Sequence, residues 1–82
     1  MTTRCDDPQV LAKAREILAF VIKELPQSSV VPFDDQAHSA LMYVGGYLHA
    51  LMTHGLISVA TWELLTAERD QAFAAEKARR EG

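Results

Sequence analysis

The chain has 82 residues and a formal net charge of −3, with 8 Lys and Arg against 11 Asp and Glu, and one cysteine. A chain of this length holds one domain and buries only roughly 60–65% of its unfolded surface, so a core built by a single copy is marginal. The acidic balance argues against nucleic acid or an anionic membrane as partner, and the single cysteine excludes an internal disulfide.

The opening MTTRCDDPQ lacks the apolar run of a signal peptide, and Cys5 reads as an incidental free thiol suited to a reducing, cytoplasmic setting. Asp7-Pro8 signals a helix start, an acidic cap followed by proline at the first helical position. The first helix is expected over 8–25. Val10, Leu11, Ala14, Ile17, Leu18, Val21 and Leu25 recur at spacings of three and four, and Pro26 is the stop. Phe20 falls among the charges of the opposite face and is a candidate contact for a second protein.

Residues 26–34 form the expected linker, within PQSSVVPFDD, because two prolines push their preceding residues toward extended geometry. Val30, Val31 and Phe33 are apolar enough to be expected as a strap across the open side of the bundle.

The second helix is expected over 35–54, starting at Asp34 or Asp35 and stopping at Gly55, a residue that tolerates the left-handed conformation. Its surface divides into three stripes. Ala37, Leu41, Val44, Leu48 and Leu51 make an aliphatic one. His38, Met42, Gly45, His49 and Met52 make the second, and Gln36, Ser39, Tyr43, Gly46, Tyr47, Thr53 and His54 the third. No Asp, Glu, Lys or Arg occurs between Asp35 and Glu63. Three histidines, two glycines, serine and threonine mark this stretch as a buried soluble helix rather than a membrane span.

The third helix is expected over 58–79. Ser58 is its cap, and Ile57 and Trp62 are placed as a hydrophobic staple. Leu65, Ala72 and Phe73 continue the Trp62 face; Ala60, Leu64, Ala67, Ala75 and Ala78 make a small-residue stripe. EKARREG reads as a fraying, charged end. The short connection between the second and third helices predicts an antiparallel hairpin.

Two adjacent glycines inside a helix cost about 1 kcal/mol each relative to alanine. A kink at Gly45-Gly46, a backbone facing a ligand and the close approach of another helix would each account for them. The neighbours favour close approach: Met42, Gly45, Gly46, His49 and Met52 are uncharged and adaptable, and a second copy of the same helix is the simplest occupant. Tyr43 and Tyr47, one turn apart, and His54 beyond them are candidate contacts for another protein, together with Phe20.

Chemistry is not signalled. His49 and His54 are roughly 140° apart around a helix, and His38 and His49 stand about 16 Å apart along it, so no metal is expected within one chain. Cys5 has no base at helical spacing. Ser28 and Ser29 lie in the linker, and Asp34 and Asp35 are explained by capping. A helix-turn-helix reader of DNA is an alternative, although its recognition helix would present Glu63, Glu68 and Asp70 to phosphate. A metal- or ligand-binding dimer with His38 and His49 at its interface is another. The expectation is an all-α, three-helix protein, completed by homodimerisation. It is expected to act by binding protein rather than as an enzyme, with no cofactor, nucleic acid or membrane.

Overall fold

The computed structural model describes residues 5–27 and 30–81. Among these the secondary structure is helical throughout: α1 (Pro8–Lys23), α2 (Phe33–Thr53) and α3 (Val59–Glu81). No helix among the described residues is long and apolar enough to cross a membrane. Ser28 and Ser29 lie outside the described residues.

Local chemistry sets the helix ends. The Asp7 carboxylate accepts the Gln9 amide at 2.8 Å, and Pro8 occupies the first turn of α1. α1 stops at Lys23 rather than at Leu25, because the residue before Pro26 is disfavoured in the helical region and the Leu25 side chain buries against Ala37 and Phe73. α2 starts earlier than Asp34, with Pro32 as its cap and the Asp35 and Gln36 amides donating to the Pro32 carbonyl. Asp34 and Asp35 thereby fall in the first turn, where carboxylates favour the helix dipole. Gly55, directly after the His54 cap, has φ +75° and turns the chain out of α2.

α3 is capped twice. Ser58 Oγ accepts the Thr61 amide at 3.1 Å, and the Asp6 carboxylate accepts the Ser58 amide at 2.9 Å. Asp6 holds a left-handed φ of 60°, which aspartate tolerates better than most residues, and its own amide donates to the Leu56 carbonyl at 2.9 Å. The segment just before α1 is therefore tied to the α2–α3 connection.

Two apolar clusters fill the interior. The first joins Ala14 of α1, Val44, Leu48 and Leu51 of α2, Ile57, and Leu65 of α3, with Trp62 and Tyr47 packed against it. The second joins Leu25, Ala37 and Phe73, with Phe33 and Leu41 at its edge. The expected strap is corrected here: Val30 is 88% exposed and Val31 is also exposed, so of the three apolar linker residues it is Phe33, inside α2, that covers the core. The small-residue stripe of α3, Ala60, Leu64, Ala67, Ala75 and Ala78, faces outward.

Ion pairs link the helices over the surface of this core. Arg15 on α1 forks onto Glu68 of α3 at 3.0 and 2.9 Å, and Lys77 on α3 reaches Asp34 of α2 at 3.2 Å. Near the end of α3, Arg80 is tied back to the rest of the chain: its side chain is 12% exposed and donates to the Pro26 carbonyl at 2.7 Å.

The Ser58 amide holds the Asp6 carboxyl below the ordinary carboxylate range, the Arg15 guanidinium does the same for Glu68, and Arg79 with Arg80 does so for Glu76. A carboxylate whose pKa is lower in the fold than in the open chain contributes fully above its unfolded value and loses that contribution as pH falls through the folded one. Stability should therefore hold down to about pH 5 and decline below it. Asp6→Asn, which keeps an acceptor but no titrating group, should show a shallower acid decline in urea midpoint than the parent.

Candidate functional site

α2 is helical without interruption across Gly45 and Gly46, so the glycines do not break it. They serve different surroundings. A Cβ on Gly45 would lie 2.6 Å from Arg69 Nη1, so this glycine admits the guanidinium of α3. That guanidinium is held by Asp70 Oδ1, with Nε at 3.0 Å and Nη2 at 2.9 Å. The close approach expected at Gly45 is therefore made by this chain's own Arg69. A Cβ on Gly46 would have nothing within 4 Å.

The difference predicts unequal responses to alanine. Gly46→Ala should raise the stability of the isolated chain by about 1 kcal/mol, since it gains helix propensity and meets open space. Gly45→Ala gains the same propensity but must push aside the tip of the flexible Arg69 side chain, so its net gain should be smaller. Urea midpoints in dilute solution, where association contributes nothing, would separate the two.

Gly46 is the centre of the outward face of α2. At about 100° per residue, Ser39, Met42, Tyr43, His49, Ala50 and Thr53 lie within about 60° of it, and all are exposed. Met42 is 63% and Tyr43 61% exposed. His38 and His54 bound the face at its two ends, about 24 Å apart. The stripes drawn separately from the sequence thus contribute to one surface. Met42, Gly46 and His49 come from the first set of candidates, and Tyr43 and His54 from the second. Gly45 lies under Arg69, while Met52 and Tyr47 pack against the first core cluster and serve the chain's own fold. Phe20 is exposed on a different helix, α1.

The histidines do not converge. His49 Nδ1 lies 3.5 Å from Thr53 Oγ1 on the outward face, and His38 borders a groove between α2 and α3. No set of three metal-ligating side chains meets among the described residues. That groove encloses about 410 Å³ over Phe33, Leu41 and Phe73, with the Asp34–Lys77 pair on its rim. A second, of about 730 Å³ between α1 and α3, has Leu18, Ile22 and Ala72 on its floor. The Arg15–Glu68 and Arg79–Glu76 pairs at its rim are satisfied by one another. Neither groove brings a nucleophile to a base or gathers donors around a vacant acceptor.

The class defined by this fold and surface is a small helical protein with one uncharged, partly apolar helix face turned to solvent. No protein family, curated protein or solved structure matches the chain.

Proposed function

We propose that the protein is a small, non-enzymatic protein–protein interaction module that works as a homodimer in the cytoplasm. In this reading α2 and α3 form an antiparallel hairpin, and the outward face of α2 carries the contact. The Lys77–Asp34 bridge, between the late part of α3 and the first turn of α2, supports the hairpin.

One observation carries the functional reading. Gly46 costs the helix about 1 kcal/mol, and nothing in its own chain occupies the space it leaves. A backbone left open at the centre of an uncharged face suits a close neighbour from outside. Met42 beside it is flexible and polarizable, and Tyr43 offers area with one hydroxyl, both favoured in protein contacts. A second copy is the simplest such neighbour. Phe20 on α1 would remain available to a different protein.

Gly46→Glu tests this. The side chain enters open space on a single chain, and Glu is a better helix former than Gly, so the helical circular dichroism should be kept. Two carboxylates brought to a shared contact should abolish association, and sedimentation should show the variant as monomer where the parent is dimer. Unchanged sedimentation would remove α2 from the contact.

A further inference from the structure

We infer that the second copy docks on α2 in the antiparallel sense, with Gly46 of both chains at the two-fold axis. This rests on the reading of the outward α2 face as a self-association surface. The two backbones approach most closely where both lack a Cβ, and Gly46 is the exposed glycine of this face where an added Cβ would meet no side chain or other element within 4 Å.

Side-chain size selects the antiparallel sense. About an axis at Gly46, it brings Met42 level with Ala50 of the second copy and Ser39 level with Thr53 of the second copy. A long side chain then faces a methyl, and a hydroxyl faces a hydroxyl. The parallel sense sets each residue against itself. Met42 on Met42 and Tyr43 on Tyr43, all more than half exposed and large, would hold the backbones apart just where Gly46 lets them meet.

Charge selects the same sense. Asp35, exposed in the first turn of α2, lies in line with this face beyond its uncharged part, and Asp34 beside it is paired with Lys77. A parallel pair would bring the acidic first turns of both copies together, with like charges facing one another. The antiparallel pair separates them to opposite ends. There each Asp35 falls within about one helical turn of His54 of the other copy, whose ring N–H can donate to a carboxylate.

Cysteine pairs decide it in the full-length chain. In a Cys5→Ser background, Ser39→Cys and Thr53→Cys are each nearly isosteric and exposed, so the fold is kept. One variant carries a mass tag, and a short bis-maleimide links thiols that stand close. The mixed Ser39→Cys with Thr53→Cys sample should give the mixed product, and either variant used by itself should lose nearly all crosslinking. Dominant self-linking of Ser39→Cys would overturn the antiparallel sense while leaving the homodimer standing. A dimeric mass without any linking would place the contact on another face and overturn the inference. A monomeric mass at every concentration would overturn both it and the reading beneath it.

Discussion

Leu48→Ala should destabilise the chain by about 3–5 kcal/mol, the largest loss expected from any single truncation considered. Leu48 is 2% exposed and stands where all three helices meet, with Ala14 of α1 and Leu65 of α3 in the same cluster. Removing its branched end loses transfer energy and opens a cavity that rigid helices fill poorly. A chain of 82 residues carries roughly 4–12 kcal/mol in total, so this one change removes a large share of it. Leu64→Ala, the same chemistry on the outward side of α3, should cost under about 1 kcal/mol. Urea unfolding of both variants checks the core assignment; equal shifts in midpoint would refute it.

Arg80→Met should cost about 2 kcal/mol, far more than a change in the last turn of a helix ordinarily would. The guanidinium donates to the carbonyls of Pro26 at 2.7 Å and Leu25 at 3.4 Å, pairs with Glu76 at 3.4 Å, and lies 5.1 Å from the centroid of the Phe33 ring. It thereby joins the end of α3, the chain just past α1 and the start of α2 in one set of contacts. Methionine keeps much of the apolar stem but leaves two backbone acceptors without this donor and removes the cation–π contact. Lysine should restore only part of the loss, because one ammonium cannot span both carbonyls and Glu76 as a planar fork does. Arg79→Met is the control: its side chain is largely exposed and bonds Glu76, so its effect should be far smaller than that at Arg80. Equal effects at the two positions would show that Arg80 is not a clasp.

What was legible in the sequence followed locality. The Asp7-Pro8 start, the Ser58 cap and the left-handed Gly55 are decided by residues within a few positions, and the structure holds each of them. The aliphatic stripe of α2 was legible for the same reason, since helical period places Ala37, Val44, Leu48 and Leu51 on one side and all four are buried. Contacts distant in sequence were not. Nothing near Gly45 announces that Arg69 will lie over it, and nothing near Asp6 announces Ser58. Arg80 read as part of a frayed charged end because its acceptors, the carbonyls of Leu25 and Pro26, are more than fifty positions away. The linker failed for a different reason: hydrophobicity marked Val30, Val31 and Phe33 equally, while burial depended on which of them joined α2.

The outward face was half legible. Its lack of charge and its open glycine are plain in the sequence, but the stripe boundary was drawn through its middle. It separated Met42 and His49 from Tyr43 and His54. The centre of the face could be found only once Arg69 had taken Gly45 and left Gly46 open.

The measurement to make first is the absolute mass of the full chain in solution, by light scattering on a sizing column over a tenfold range of concentration. A second copy on the outward face of α2 requires twice the mass of one chain at the upper end of that range, falling toward one on dilution if association is weak. A mass of one chain at every concentration would contradict self-association, and the open space at Gly46 would then belong to a foreign protein.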